Sequence, residues 1–270
     1  MSWNVGPLVV SQAIVALAGQ VAQPAQPAPV APDAAARAVV QRGIDYAGGF
    51  AAWASRKSVE FRKTVTRFRP DGSVERRRVE THRYRLQPSF GGRIERDEEG
   101  KNALMVNNGT RAWRFVDGQE LTTQEESNSA RGSTFGSHYV FGMPFKLLDP
   151  GVQLASAGRE RLADGTEVEK VRATYDRGAG DAGGYHTWTY YFDTKTGRLC
   201  ANHLNYEADQ YDFSEYFDDQ SFSGVRVATR RRGYSADASG KTGPLVSETL
   251  YEQVRFDVPL PDSLFSPPNR

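Results

Sequence analysis

Residues 185–206 read YHTWTYYFDTKTGRLCANHLNY, and this stretch predicts the fold class. Two runs rich in aromatic residues flank the turn TKTG, a pattern typical of a β-hairpin. Because side chains alternate between the two faces of a strand, Trp188, Tyr190 and Phe192 share one face, and the threonines of the same run lie on the other. A strand with one apolar and one polar face is typical of an antiparallel sheet that is covered on one side.

The same alternation recurs from residue 59 onward. Turn sequences at 70–72 and 107–109 predict two further hairpins. In the later strands, one face is predicted to carry the apolar residues Val225, Val227, Leu250, Val254 and Phe256. No βαβ alternation is present. We therefore predict a mainly β (α+β) fold, in which a curved antiparallel sheet of about ten or eleven strands forms an incomplete β-barrel with short helices as a lid.

The first 32 residues differ in composition from the rest. Residues 5–18 form an apolar run that ends in the small-x-small pattern of a signal-peptidase site, although no Lys or Arg precedes it. Residues 19–32 are rich in Pro and Ala, which is typical of an extended linker. We predict a signal peptide over 1–18, a linker over 19–32 and a single β domain over 33–270, in a periplasmic or secreted protein. A disordered Ala-rich tail is the alternative for the signal peptide.

A second stretch, HYVFGMPFKLLDPG at residues 138–151, is strongly apolar in a chain that is otherwise polar. It is too short to span a membrane and contains Pro144. A sheet with one dry face needs a cover, and we predict that this lid segment provides it together with a helix over 34–47. The side chains expected to bind a hydrophobic ligand are Phe141, Met143, Phe145, Leu147 and Leu148 of the lid segment and Trp188, Tyr190 and Phe192 of the sheet. The alternative is that they fill the core.

A basic stretch precedes the lid segment. Between residues 56 and 101 there are fourteen Lys or Arg and eight Asp or Glu. Arg76, Arg77 and Arg78 are candidates for contact with lipid phosphates or an acidic partner, because the guanidinium group binds such anions in a bidentate manner. The alternative is a solvated ribbon of cross-strand Arg–Glu pairs. Nucleic acid is not predicted as a partner, because no aromatic platform alternates with the arginines and the net charge is only +1.

No set of residues predicts catalysis or a cofactor. The four histidines are widely spaced and match no metal motif, and only His186 and His203 are expected to approach each other. The acidic stretch at 206–219 lacks the spacing of a calcium loop and could pair with the basic stretch. Cys200, the single cysteine, is expected to be a packed thiol. We predict no catalytic residue, no metal and no cofactor.

Four blocks carry a resemblance to a known superfamily: GGFAAW at 48–53, YVFGMPFKLLDPG at 139–151, YYFDTKTGRL at 190–199 and VRFDVPLPDSLFSPP at 254–268. With this order of elements, the chain resembles the lipoprotein-carrier superfamily (the LolA/LolB-like fold), and within it an uncharacterised family of bacterial envelope proteins. The resemblance implies an incomplete β-barrel around a hydrophobic cavity, plugged by short helices, and a role without catalysis. The carriers' functional residues match no positions here, so none is assigned.

These observations predict a binding or carrier protein for a lipid, an acyl chain or a lipidated protein, with transient contact to a membrane surface. Two other classes stay open. A protein-interaction module would dock through the basic or the acidic stretch and have a closed core. A hydrolase or metal-dependent enzyme, the less favoured class, would use polar residues around His186 and His203. The oligomeric state is not predicted.

Overall fold

The computed structural model describes residues 33–180, 184–207 and 210–268. The predicted signal peptide and linker lie outside the described residues. The helices are α1 (Ala34–Tyr46), α2 (Phe50–Ala54) and α3 (Gln124–Phe141), with 3₁₀ helices at Phe145–Leu148 and Asp262–Phe265. The first strands are β1 (Ser58–Phe68), β2 (Val74–Arg85), β3 (Gly91–Glu98), β4 (Lys101–Asn107), β5 (Ala112–Val116) and β6 (Gln119–Leu121). The later strands are β7 (Val152–Arg161), β8 (Glu167–Tyr175), β9 (Thr187–Asp193), β10 (Leu199–Glu207), β11 (Gln210–Phe222), β12 (Val225–Ala236) and β13 (Thr242–Phe256).

The thirteen strands of the described residues form one antiparallel sheet in the order β6-β5-β4-β3-β2-β1-β13-β12-β11-β10-β9-β8-β7. The sheet is not closed, since β6 and β7 are its two edges. Strands that are consecutive in sequence lie side by side, except that β6 and β7 are at opposite edges, and β1 pairs with β13 at the centre. The predicted fold class is confirmed, and the strands beyond the expected ten or eleven include β3, β6 and β7. These three were missed because β3 begins with two glycines, β6 has three residues and half of β7 is polar.

The helices lie where capping chemistry places them. The side chain of Asp33 accepts a hydrogen bond from the backbone N–H of Ala36, 2.9 Å away, and begins α1 as predicted. Helix α1 ends before Gly48, whose φ of +109° requires glycine. Helix α3 begins at a cap in which the Thr123 hydroxyl accepts from the N–H of Glu126, 3.2 Å away. This helix leads from edge strand β6 to edge strand β7 and contacts β3, β4 and β5.

One main hydrophobic core is made by the inner face of the sheet, by α1 and by the lid segment. The predicted position of Leu250 on this face is wrong. Strand β13 has an irregularity at its pairing with β1, where Gln253 has a φ of +54°, so Tyr251 is buried with Val254 and Phe256 while Leu250 is only partly buried. Among the described residues, no helix has the length and hydropathy needed to cross a membrane.

Candidate functional site

The lid segment closes over the inner face of the sheet, with its apolar side chains pointing into the core. It comprises the last turn of α3, a short connection and the 3₁₀ helix Phe145–Leu148. Phe141 stacks on Phe61 of β1, with ring centroids 4.3 Å apart, and packs edge-on against Tyr251 of β13 at 5.4 Å. The lid segment therefore contacts the two central strands of the sheet.

The predicted ligand-binding residues come together in one cluster. Those that are buried in it are Phe141, Met143, Phe145, Leu147, Trp188, Tyr190 and Phe192, and Leu148 packs against it partly buried. Trp188 and Tyr190 stack on the inner face of β9 with ring centroids 5.7 Å apart. The alternation of side chains along β9 thus places Trp188, Tyr190 and Phe192 on the inner face, as expected. That they bind a ligand stays a prediction, because in this conformation they fill the core.

Two spaces border the lid segment. A cavity of about 30 Å³ lies between the lid segment, α1 and strands β11 to β13, with Met143, Tyr216 and Arg231 among its walls. This volume is of the size that one water molecule needs, so an acyl chain enters only if the lid segment moves. A crevice of about 210 Å³ lies at the edge of the lid segment, between Trp53 and His138. The apolar interior is therefore closed, with a crevice beside its cover.

His138 is the buried polar group of the lid segment. The residue is 5% exposed, and neither ring nitrogen has a hydrogen-bond partner among the residues that the structure describes. It packs among aromatic rings, with Phe90 at 5.1 Å and Tyr84 at 5.3 Å between centroids. Burial, aided by the charge of Lys146, lowers the pKa of His138 to about 3. The ring is therefore neutral at physiological pH.

Along the inner face of β12 the side chains change from apolar to polar. Val225 and Val227 are buried in the main core with the lid segment and α1. Thr229 is buried too, and its hydroxyl donates to the backbone oxygen of Asp218 at 2.7 Å. Arg231, the next residue on this face, is partly buried, and its guanidinium lies 5.1 Å from the Tyr216 ring centre. Arg231 was not among the site residues expected from the sequence. Its parity with Val225 and Val227 is the signal that could have identified it.

On β1 to β3, a network of charged side chains likewise lies where the apolar part of the inner face ends. The carboxylate of Glu80, 2% exposed, lies 2.7 Å from Arg78 Nε, 3.1 Å from Arg96 Nη1 and 3.3 Å from Lys63 Nζ. His82 Nε2 is 2.8 Å from the same carboxylate. Burial acts to raise the pKa of Glu80, but the His82 hydrogen bond and the charge of Lys63 outweigh it, so that the pKa lies well below its usual value. Glu80 is thus a buried anion that holds several cations.

The arginines of the basic stretch divide between two environments. Arg76 and Arg77 are exposed, and neither forms an ion pair within the part of the chain that the structure describes. Arg78 is bound to Glu80, which lies two residues along the same strand and not across from it. All three line a surface crevice of about 620 Å³ that also contains Asp97 and other acidic residues. Their contact with an anionic partner stays a prediction.

The residues considered for catalysis do not assemble. The ring of His186 is 6.4 Å from that of Trp188, on the inner face, whereas His203 stacks on Tyr211 and bonds the backbone of Asp237. Cys200 is buried, as expected of a packed thiol, and burial raises its pKa to about 11. Across residues 33–180, 184–207 and 210–268, no group of three His, Cys, Asp or Glu side chains is placed to hold a metal.

Comparison with known proteins bears on the fold. The sequence profile of a family of unknown function, DUF6503, matches residues 102–218, which include α3 and the lid segment. No curated protein sequence matches the chain.

Two solved structures are similar over most of their length. A DUF1329 family protein from Desulfovibrio piger is 14% identical, with 84% of this chain and 97% of that chain covered and a TM-score of 0.54. A LolA superfamily protein from Nitrosomonas europaea is 13% identical, with 86% and 97% covered and a TM-score of 0.56. Both likenesses concern the fold. The chain therefore has the fold of the LolA superfamily, as the sequence resemblance predicted.

Proposed function

We propose that this protein binds and carries a hydrophobic ligand between the lid segment and the inner face of the sheet, without catalysing a reaction. The ligand is a lipid, an acyl chain or the acyl group of a lipidated protein. The observation that carries the proposal is the lid segment itself. It seals an apolar face by inserting Phe141 and Phe145 where a hydrocarbon chain would lie.

The exchange of lid for ligand is energetically feasible. The closed lid segment and a bound acyl chain cover the same apolar surface, so the chain replaces burial that the lid segment gives up. Each buried CH₂ of a ligand contributes about 0.8 kcal/mol, so a chain of about 16 carbons supplies on the order of 10 kcal/mol. Gly142 and Gly151 border the apolar 3₁₀ helix on either side and provide points of bending.

The location and the partner follow from the same proposal. We place the protein in the periplasm or outside the cell, because the sequence predicts a signal peptide over 1–18 and resembles a family of bacterial envelope proteins. The exposed side chains of Arg76 and Arg77 at the far end of the β1–β2 hairpin supply a surface for transient contact with anionic lipid headgroups.

The test is native mass spectrometry of protein purified from a bacterial envelope fraction, followed by solvent extraction and lipid analysis. We expect a stoichiometric hydrophobic species, and displacement of a fluorescent fatty-acid probe by unlabelled palmitate. A clean unliganded mass with no uptake of the probe would contradict the proposal. The assignment would then move to a protein-interaction module with a closed core.

A further inference from the structure

Three consecutive arginines on β12 have different environments. Arg230 pairs with Asp218, Nε to Oδ2 at 2.9 Å, and Arg232 pairs with Glu248, Nε to Oε2 at 3.2 Å. Arg231 lies between them and points to the opposite, inner face. Among the described residues, no carboxylate lies within ion-pair distance of its guanidinium. Arg231 is therefore a cation without a counter-charge on the face that the lid segment covers.

The guanidinium of Arg231 has only uncharged hydrogen-bond partners. Among the described residues its buried Nε has no partner, Nη2 reaches the Ser214 hydroxyl at 3.4 Å, and the Tyr251 hydroxyl is a further partner. A carboxylate that lines the small cavity, that of Asp219, is engaged with Arg198 at 2.7 Å and with the Tyr46 hydroxyl at 3.0 Å. Because hydroxyl groups do not neutralise the buried charge, an anion would stabilise it more strongly.

Two hydroxyl groups lie beside Arg231, next to the small cavity that it lines. Gly233 lies directly opposite Ser214 on β11 and Ser247 on β13. A Cβ atom at Gly233 would be 2.5 Å from the Ser247 hydroxyl oxygen and 3.9 Å from that of Ser214, so the absence of a side chain lets the Ser247 hydroxyl lie close against β12. The backbone of Gly233 does not have a positive φ, so conformation alone does not require glycine here.

The position of this group matches one end of a bound amphiphile. Phe141 and Met143 of the lid segment line the same cavity as Arg231, on the apolar side. On the other side, the inner face of β12 continues with Gly233 and Ser235, beyond the buried residues. A hydrocarbon chain under the lid segment would therefore place its polar end at Arg231.

We propose that Arg231, with the hydroxyl groups of Ser214 and Ser247 beside Gly233, binds the carboxylate or phosphate group of an anionic amphiphile whose hydrocarbon chain lies under the lid segment. This inference rests on the proposed function and specifies its ligand class. It concerns residues of β11 to β13 only and needs no part of the basic stretch at 56–101.

The experiment measures binding of matched probes by displacement of a fluorescent reporter. Palmitate and hexadecyl phosphate carry the anion, and hexadecanol is the uncharged control. We expect the wild-type protein to bind the anionic probes at least about tenfold more tightly than hexadecanol, as for a hydrogen-bonded charge. Arg231→Met should abolish this preference, so that the anionic probes bind no more tightly than hexadecanol. Arg232→Met, on the outer face, is the matched control and should keep the preference.

Two further variants keep the proposal testable if Arg231→Met does not fold. Arg231→Lys retains the charge and should retain part of the preference. Gly233→Ala would displace the Ser247 hydroxyl, which lies 2.5 Å from the position of the added methyl group, and should weaken binding of both anionic probes. Equal affinity for anionic and uncharged probes in the wild type, or a preference that survives Arg231→Met, would overturn the anion site and leave the carrier function standing. Failure of all three probes to bind would overturn both.

The two anionic probes and free inorganic phosphate distinguish the source of the anion. Tighter binding of palmitate than of hexadecyl phosphate supports a fatty-acid carboxylate, and the reverse order supports a lipid phosphate. Competition by inorganic phosphate as effective as that by hexadecyl phosphate would show a site for a soluble anion and would overturn the amphiphile assignment.

Discussion

Trp53 of α2 and Phe145 of the lid segment lie face to face, with ring centroids 5.1 Å apart and an interplanar angle of 4°. The indole is therefore a built-in reporter of the lid position. When a ligand displaces the lid segment, we expect Trp53 to lose this stacking contact, and its fluorescence emission to shift to longer wavelength as water reaches the ring. The shift should titrate with palmitate in a Trp188→Phe background, because Trp188 also lies where the ligand is proposed to bind, and it should be absent when Trp53→Phe is added. An emission spectrum that is identical with and without bound palmitate would contradict movement of the lid segment.

A second prediction concerns how much Phe145 stabilises the closed position of the lid segment. Phe145 is 2% exposed, and Phe145→Ala should lower the free energy of unfolding by about 3–5 kcal/mol. Because the lost contact holds the lid segment down, the open form becomes more populated, and the association rate of a fluorescent fatty acid should rise. Phe50→Ala, at a side chain that is 47% exposed on α2, is the matched control and should change neither quantity appreciably. A destabilised Phe145→Ala with an unchanged association rate would mean that entry does not depend on the lid segment.

A third prediction concerns acid stability. The pKa of His138 is lowered to about 3 by burial, with Lys146 as the second cause, whereas the unfolded ring titrates near 6.5. Between these values the unfolded state binds more protons, so stability falls as the pH falls from 6.5 towards 3. His138→Phe removes this dependence and two unpaired nitrogens, and should raise the free energy of unfolding by about 1–3 kcal/mol at pH 7 and by more at pH 4.5.

The control for this prediction is His203→Phe. His203 bonds the backbone oxygen of Asp237 at 3.1 Å, so its replacement loses a contact and should give no gain at pH 7. Because burial lowers the pKa of His203 as well, His203→Phe also removes a part of the acid dependence. Denaturant unfolding at the two pH values measures both variants. His82, with a pKa lowered to about 4 mainly by burial, keeps a residual acid dependence in His138→Phe. Equal pH dependence in His138→Phe and the wild type would show that His138 is not a source of acid sensitivity.

A fourth prediction tests the buried charge network. Glu80→Gln leaves Lys63, Arg78 and Arg96 without their shared anion and should destabilise the protein by about 3–5 kcal/mol. Glu248→Gln removes the more exposed partner of Arg232 and should cost no more than about 1 kcal/mol. Thermal unfolding at pH 7 compares the two. Similar losses of stability in Glu80→Gln and Glu248→Gln would show that burial does not make the ion pairs of Glu80 more stabilising than an exposed pair.

Much of the fold follows from local chemistry in the sequence. The parity of Trp188, Tyr190 and Phe192 identifies the buried face of β9, and Asp33 with Gly48 bounds α1. These features can be predicted because each depends on only a few neighbouring residues. The lid segment can be predicted for the same reason, because a short apolar run in a polar chain has to cover or enter a buried surface.

Other features depend on contacts between distant residues. The irregularity of β13 beside β1 places Tyr251 in the core instead of Leu250, and alternation alone does not indicate it. Most of α3 is polar and was not predicted, although Thr123 and Glu126 have the spacing of a helix start. That Arg231 has no carboxylate beside it among the described residues depends on where Asp218, Asp219 and Glu248 of β11 and β13 lie, which no local sequence pattern indicates.

The pairing of β1 with β13 has a consequence for how the chain reaches its native state. Glu60 and Arg255 form an ion pair across this central pairing although they are 195 residues apart in sequence. The strands on either side pair with sequence neighbours and can form locally, but the two halves join only when Thr242–Phe256 is available. Such a non-local step is slow, of the order of milliseconds to seconds. Until it is complete, β1 presents an unpaired edge, and a nascent chain needs protection from aggregation throughout its synthesis.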